Sequence, residues 1–179
     1  MIYSPREDSY LLEKEVRKYA KNKRILDIGS GSGIQALAAL KSGAKSVLCA
    51  DIDFDAVGLL KKKGLDAVQS DLFSNVKGKF DLIIFNPPYL PFDKREDSQS
   101  ELHTSGGKRG DEIIVRFLEN VRKYLIKEGI ILIVVSSLTP QNRILNILKK
   151  SRLSREIIAE EKFFMERLEI WKVLNTPAV

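Results

Sequence analysis

Short apolar segments alternate with amphipathic segments along most of the chain, and this alternation constrains the fold more than any other feature. The segments predicted as strands are Arg24–Ile28, Ser46–Asp51, Asp66–Gln69, Phe80–Phe85, Ile130–Ser136, Arg155–Phe163 and Arg167–Leu174. Helices are predicted at about Glu7–Ala20, Gly33–Lys41, Phe54–Lys63, Asp111–Ile126 and from Pro140 to Lys150. Strands that are apolar along their length and alternate with helices indicate a mostly parallel sheet covered on both faces. We therefore expect a doubly wound, seven-stranded α/β sheet whose last two strands form an antiparallel hairpin at one edge.

Length and composition bound the class of protein. A chain of 179 residues with 44% hydrophobic and 30% charged residues predicts one globular domain spanning residues 1–179. The longest apolar run, Ile130–Val135, is too short to cross a bilayer, and the first residues lack a signal-peptide pattern. Cys49 is the one cysteine, which excludes an internal disulfide and a cysteine-built zinc site. We expect a cytoplasmic protein without a bound metal.

Candidate ligand-binding residues end the predicted strands, and ligands of open parallel sheets bind at those carboxyl ends. The first strand continues into the turn "ILDIGSGSG", which carries Asp27 and three glycines, Gly29, Gly31 and Gly33. Glycines let the backbone turn tightly and approach a ligand closely, although a purely structural turn would also use them. Asp51 ends the second strand, where a carboxylate can accept hydrogen bonds from both ribose hydroxyls of a nucleoside.

The residues around these strand ends favour S-adenosylmethionine over a dinucleotide. The glycine turn lacks the G-x-G-x-x-G spacing of dinucleotide enzymes. Asp27 directly precedes the turn, where an acid would repel a pyrophosphate but would attract the amino group and sulfonium of S-adenosylmethionine. Asp71, in "QSDLF", can accept from an adenine amino group beside Leu72, and a turn cap is the alternative role for this carboxylate.

The stretch "IIFNPPYLPF" ends the strand Phe80–Phe85 with an amide, two prolines and an aromatic ring. The side-chain carbonyl of Asn86 and the backbone carbonyl of Pro87 are acceptors, and Pro88 stiffens the segment. Two fixed acceptors match the two hydrogens of a planar NH₂ group, which Tyr89 can stack on or enclose. The lone pair of such a nitrogen is delocalised, so we expect alignment and acceptors for the growing positive charge to be the main catalytic contributions. Taken alone, the stretch is equally compatible with a stiff turn.

Six motifs together resemble the HemK-like glutamine methyltransferases of translation release factors: "YSPREDSYLL", "ILDIGSGSG", "ADID", "SDLF", "FNPPY" and "GGKRG". The first motif begins at residue 3, which is similar to the archaeal and eukaryotic branch. The resemblance implies that S-adenosylmethionine is contacted by Tyr3, Ser9, Asp27, Gly29, Gly31, Asp51, Ile52, Asp71, Leu72 and Asn86. It also implies that the glutamine amide is held by Asn86, Pro87, Pro88 and Tyr89. Ser9 stands where the family often has Thr, and Asp27 where some members have Glu, so hydroxyl and charge are kept.

The resemblance also implies a substrate and a partner. The substrate would be the Gly-Gly-Gln loop of a class I peptide chain release factor, and the partner a small zinc-binding activator subunit. The short strand Asp66–Gln69, expected at a sheet edge, could accept an added strand from such a partner. The segment Asn86–Gly110 has no clear period and is long for a loop, and we expect its part Leu90–Gly110 to bind the backbone of the substrate loop. His103, within it, has no evident use in methyl transfer to an amide.

Two other functions stay open at this point. The residues Asn86–Tyr89, which we call the clamp, would also fit an exocyclic amine of nucleic acid, adenine-N6 or guanine-N2. The net charge of +6 is compatible with that substrate. Such an enzyme usually carries a target-recognition domain or a basic face rich in aromatic residues, and neither is visible here. The third candidate is a cofactor-binding module without catalysis, which the complete set of clamp residues argues against.

Overall fold

The computed structural model describes residues 5–88 and 107–176 and shows helices on both faces of one seven-stranded sheet. The strands are β1 Arg24–Ile28, β2 Ser46–Asp51, β3 Asp66–Gln69, β4 Phe80–Phe85, β5 Leu125–Ser136, β6 Leu153–Lys162 and β7 Arg167–Asn175. The helices are α1 Glu7–Tyr19, α2 Ile34–Lys41, α3 Phe54–Lys62, α4 Glu112–Asn120 and α5 Gln141–Lys150, with a short 3₁₀ helix at Val121–Lys123. No helix within these ranges is long and apolar enough to cross a membrane.

The order of the strands is β3-β2-β1-β4-β5-β7-β6, with β1 to β5 parallel and β7 antiparallel to both of its neighbours. This order confirms the predicted doubly wound sheet of seven strands with a C-terminal antiparallel hairpin. It also confirms that β3 lies at one edge of the sheet. The strands β2, β1 and β4 are adjacent, so the loops that follow them meet at one side of the sheet.

Successive residues of each central strand face opposite layers, as the two-residue repeat of a strand requires. On β4, Ile83 and Phe85 pack with the layer that contains α4 and α5. Leu82 and Ile84 pack with the layer that contains α1, α2 and α3. The sheet is therefore buried on both faces, which explains why its parallel strands are apolar along their length.

One predicted boundary is wrong: the helix expected to run from Asp111 to Ile126 ends at Asn120, and β5 begins at Leu125. Leu125 pairs with Phe80 of β4, and the backbone N–H of Phe80 donates to the carbonyl of Tyr124 at 2.8 Å. The register then shifts, so that the next pair is Leu82 with Ile130. Pairing with β4 thus overrides the helical period before the expected end of the helix. Smaller shifts of one or two residues occur at the ends of β6 and β7.

Candidate active site

The carboxyl ends of β3, β2, β1 and β4 form one edge, because the registers align Asp51 with Gln69, and Ile28 with both Ala50 and Phe85. Neighbouring strands lie about 4.8 Å apart, so the loops after these four strands lie within about 15 Å of one another. The structure therefore brings the glycine turn, Asp51, the "SDLF" turn and Asn86 to the same side of the sheet, as predicted.

The glycine turn begins with left-handed backbone. Gly29 has a φ of 62° and Gly31 a φ of 49°, a region that disfavours other residues. The N–H of Gly29 donates to the carbonyl of Ala50 at 2.7 Å, which ties the turn to the end of β2. A Cβ at Gly29 would meet Phe85 only at an ordinary 3.7 Å, so the backbone conformation, more than space, selects glycine there.

Gly33 has a different role from Gly29 and Gly31. A Cβ at this position would lie 2.8 Å from a methyl of Leu60 and 2.9 Å from a methyl of Leu65. Both of these leucines are buried in the layer beneath the turn. The third glycine of the motif therefore lets α2 pack closely on the α3–β3 unit.

Asp51 is held by two backbone N–H groups. Its Oδ2 accepts from Gly31 at 2.7 Å and its Oδ1 from Asp53 at 2.9 Å, and the residue is buried. Each carboxylate oxygen can accept a second hydrogen bond, so both remain able to bind the hydroxyls of a ribose. Ile52, which follows directly, is 48% exposed and leaves apolar surface uncovered beside this carboxylate.

Asp27 is the carboxyl at this edge whose pKa is strongly raised. It is 1% exposed, and within residues 5–88 and 107–176 its Oδ2 has no hydrogen-bond partner. Burial, and then the charge of Asp51, raise its pKa from the ordinary 3.8 to about 8. Buried carboxylate oxygens are normally paired, so this one lacks a partner that a cation could supply. The amino group and sulfonium of S-adenosylmethionine are such cations, and the carboxylates at this edge therefore fit that molecule.

Asn86 follows β4 directly, and its side-chain amide is hydrogen-bonded to Asp8 of α1. The Nδ2 of Asn86 donates to Oδ2 of Asp8 at 3.0 Å, whereas its Oδ1 is buried and has no hydrogen-bond partner among the described residues. Oδ1 of Asp8 accepts from the backbone N–H of Ser9 at 2.6 Å and from its hydroxyl at 3.2 Å. The predicted cofactor residue Ser9 thus lies next to the predicted clamp residue Asn86, joined by a carboxylate.

The turn after β3 has an unusual backbone and an ion pair. Leu72 has a φ of 50°, and the hydroxyl of Ser70 donates to its carbonyl at 2.9 Å. The carboxylate of Asp71 accepts from Nη2 of Arg116 at 2.8 Å, while the hydroxyl of Ser74 caps the backbone N–H of Asp71. Serine hydroxyls therefore stabilise this turn, and the roles of Asp71 and Leu72 toward adenine stay predictions.

Several predicted residues lie outside the described part of the chain: Tyr3, Tyr89 and His103, with most of Leu90–Gly110. Pro87 and Pro88 follow Asn86 at the end of β4, as the motif requires. Gly107 and Gly110, at the end of the long segment, both have positive φ angles in the turn that precedes α4.

Asp8 is the site residue that the sequence analysis missed. Its position did carry a signal, because α1 buries residues at helical spacing and Asp8 belongs to that stripe: Asp8, Leu11, Leu12, Glu15 and Val16. An acidic residue in the first turn is usually explained by the helix dipole. An acid on the buried face, however, needs a partner inside the protein.

This strand order and a strand-end edge that fits S-adenosylmethionine define a class I S-adenosylmethionine-dependent methyltransferase. Residues 7–165 match the family model described as the methyltransferase small domain. A Methanocaldococcus jannaschii protein, provisionally named a protein N5-glutamine methyltransferase, is 42% identical over 177 residues, covering 94% of this chain and 89% of the relative. Human methyltransferase HEMK2 is 28% identical, with 96% of this chain and 88% of that protein covered.

A solved structure agrees with these relatives. The E. cuniculi Mtq2–Trm112 complex, described as responsible for methylation of the eRF1 translation termination factor, matches with a TM-score of 0.79 at 25% identity. The match covers 98% of this chain and 99% of that one. The chain belongs to the methyltransferase small domain family and, within it, to the HemK-like branch. It is an S-adenosylmethionine-dependent N-methyltransferase.

Proposed function

We propose that this protein methylates the side-chain amide nitrogen of a glutamine, and that this glutamine lies in the Gly-Gly-Gln loop of a class I peptide chain release factor. The observation that carries the proposal is the Oδ1 of Asn86 at the end of β4, which is buried and has no hydrogen-bond partner within the described part of the chain. An unpaired acceptor in a buried position is costly unless a ligand donates to it. A primary amide, with two coplanar N–H groups, is a donor of the required shape.

Methyl transfer to an amide nitrogen needs little general acid–base catalysis. S-adenosylmethionine supplies a methyl group on a positively charged sulfur. Transfer would form the C–N bond as the S–CH₃ bond breaks, which would leave a neutral sulfur, and the amide nitrogen would release a proton to water. Asn86 and the carbonyl of Pro87 would align the nitrogen and stabilise its growing positive charge. A protonated lysine has no lone pair to offer, so the clamp favours a planar nitrogen.

The substrate protein itself should supply much of the binding energy. A glutamine side chain must be presented on an exposed loop to reach the end of a strand, and the Gly-Gly-Gln loop of a release factor has this property. The relative Mtq2–Trm112 is described as acting on eRF1, which supports a factor of this class. A folded factor also holds its loop in place, so an isolated peptide should react more slowly than the intact factor.

A nucleic-acid amine is the second candidate, because the chain has a net charge of +6 and a pI near 9.3. Several arginines within the described ranges already lie in ion pairs, among them Arg24 with Asp81 and Arg143 with Asp111. In these pairs the guanidinium groups already have carboxylate partners and are less available to bind phosphates. Asn86 fits either kind of NH₂ group, so the preference for glutamine rests on the relatives named for glutamine and eRF1 methylation.

The experiment that tests the proposal is methyl transfer from labelled S-adenosylmethionine. Three substrates are compared: the intact class I release factor, its variant with the loop glutamine changed to alanine, and mixed-sequence DNA and RNA. We expect label on the intact factor alone. Label on nucleic acid, or equal label on the alanine variant, would overturn the proposal.

We also propose a small activator subunit that binds along β3. This strand lies at the sheet edge and has four residues, Asp66–Gln69. An edge strand offers free backbone donors and acceptors to an added strand. The E. cuniculi relative forms a complex with Trm112, which supports a partner of this kind. Co-expression with such a subunit should raise the yield of soluble protein or the affinity for S-adenosylmethionine; full activity of the chain alone would show that the subunit is dispensable.

A further inference from the structure

We propose that Asp8 is a positioning residue of the clamp: it fixes the Asn86 amide so that Oδ1 faces the nitrogen to be methylated. The identity of that nitrogen rests on the proposed function, but the contact between Asp8 and Asn86 is present in this chain without any substrate. Asp8 and Asn86 are 78 residues apart in sequence and 3.0 Å apart between Oδ2 and Nδ2.

The orientation of an asparagine amide is decided by its neighbours, because its oxygen and nitrogen ends have nearly the same shape. A clamp for an NH₂ group works only if the oxygen of Asn86 faces the substrate. An ionised carboxylate accepts hydrogen bonds and donates none. The contact with Asp8 therefore holds the NH₂ end of Asn86 away from the substrate and leaves Oδ1 as the acceptor.

Asp8 is itself fixed in place. It is 4% exposed, and its Oδ1 accepts from the backbone N–H and the hydroxyl of Ser9. It lies in the first turn of α1, where the helix dipole favours a negative charge. The carbonyl of Ser9 accepts from Nε2 of Gln35 at 2.8 Å, which attaches this turn to α2. A second helix thus braces the carboxylate that orients Asn86.

The charge of Asp8 should also strengthen the clamp. A carboxylate that accepts from one end of an amide polarises it and increases the negative charge on the amide oxygen. That oxygen would then stabilise the positive charge that grows on the substrate nitrogen better than an unpolarised amide would. This effect is present mainly in the transition state, so removing Asp8 should lower kcat more than it raises KM.

Because both donors of Ser9 point at position 8, the substitution Asp8→Asn tests the proposal directly. In Asp8→Asn the oxygen of the new amide should stay with the two donors of Ser9, which directs its NH₂ group toward Asn86. Asn86 would then turn its own oxygen toward position 8 and present its NH₂ group to the substrate. We expect kcat for the release factor to fall at least 100-fold, with S-adenosylmethionine affinity and Tm close to wild type.

The double variant Asp8→Asn, Asn86→Asp separates positioning from a structural role. Its position-8 NH₂ group would donate to one oxygen of the new carboxylate and leave the other facing the substrate. We expect the kcat of this double variant to be at least tenfold higher than that of Asp8→Asn. Asn86→Asp alone, with two carboxylates in contact, should be inactive. Asp8→Asn with normal kcat, or an exchange no more active than Asp8→Asn, would overturn the proposal.

A matched control lies on the same buried face of α1. Glu15 is 5% exposed and pairs with Lys18 at 2.6 Å, away from Asn86. Glu15→Gln makes the same change from carboxylate to amide, so it can lower Tm but should leave kcat unchanged. A loss of kcat in Glu15→Gln equal to that in Asp8→Asn would point to general disturbance of the helix and refute a specific role for Asp8.

A measurement without substrate keeps this inference separate from the proposed function. The side-chain NH₂ signals of Asn86 in a ¹⁵N spectrum of the wild-type protein are assigned by their loss in Asn86→Ala. We expect one of the two protons to be shifted downfield by its hydrogen bond to Asp8, and this shift to disappear in Asp8→Asn. Unshifted wild-type signals would refute the Asp8 contact, whereas absence of methylation of the factor by the wild-type protein would refute only the proposed function.

Discussion

The affinity for S-adenosylmethionine should depend on pH through Asp27. Burial and the charge of Asp51 raise the pKa of this carboxyl to about 8 in the ligand-free protein, so it is mostly protonated at neutral pH. A cation binds the ionised form, and binding must therefore release a proton. The apparent affinity equals the intrinsic affinity multiplied by the ionised fraction of Asp27.

The size of the effect follows from the pKa. Between pH 6 and pH 7.5 the ionised fraction of a group with a pKa of about 8 rises from about 1% to about 24%, so affinity should rise about 24-fold, or about 1.9 kcal/mol. The amino group of the ligand stays largely protonated over this range, because α-amino groups titrate near pH 8. In Asp27→Asn the slope should disappear, and affinity at pH 7.5 should fall below that of the wild type.

Calorimetry measures both the pH dependence of the affinity and the number of protons released on binding. Titrations in two buffers with different ionisation enthalpies should show the release of nearly one proton at pH 6.5 in the wild type and none in Asp27→Asn. Asp66→Asn removes an exposed carboxylate at the amino end of β3 and should keep the wild-type slope. An affinity that is flat from pH 6 to 7.5, with no buffer dependence, would refute the assignment of the cation to Asp27.

The same carboxyl predicts the sign of a stability change. Its ordinary pKa is 3.8 and its pKa in the folded protein is about 8, so the folded state binds one more proton between these values. The free energy of unfolding of the ligand-free protein should therefore decrease, through this group, as pH rises from about 4 to 8. Asp27→Asn should lose this part of the pH dependence, which urea unfolding at several pH values would show.

Three further predictions concern single positions. Asp51→Ala should weaken S-adenosylmethionine binding by about 1–3 kcal/mol, because the ribose hydroxyls lose a charged acceptor; unchanged affinity in calorimetry would remove Asp51 from the site. Asn86→Ala should lower turnover of the release factor at least 100-fold with Tm near wild type; a large fall in Tm with turnover intact would favour a structural turn. Gly33→Ala should destabilise the fold by about 1–3 kcal/mol, because its Cβ would lie 2.8 Å from Leu60 and its φ is 82°; urea unfolding indistinguishable from wild type would contradict this packing role.

The strands were the most predictable part of the fold. β1, β2, β3 and β4 begin and end at the predicted residues, because polar residues, glycines or prolines flank each run. The start of β5 was not predictable in this way. The apolar residues Leu125 and Ile126 continue the helical period of α4, and the preference for a strand arises from pairing with Phe80, which is 45 residues earlier. Local pattern therefore identified the element, while a distant partner fixed its boundary.

The candidate site was predictable where a motif was local to one strand end. Asp27, Asp51 and Asn86 each end or follow a strand, and the parallel order of the strands brings them to one edge whatever the details of packing. Which atoms are already paired could not be predicted, because this depends on side chains from other elements. The ion pair of Asp71 with Arg116 joins residues 45 positions apart, and no spacing in the sequence indicates it.

Asp8 shows what kind of functional residue a sequence motif leaves out. The acid lies in the first turn of α1, and its contact with Asn86 exists only because α1 packs against the sheet beside α2. Ser9 takes part in both connections, through its donors to Asp8 and through its carbonyl to Gln35. The oriented acceptor of the clamp is therefore a product of tertiary structure. Any change that undocks the start of α1 should lower methyl transfer before it unfolds the sheet, because Asn86 then loses the carboxylate that orients it.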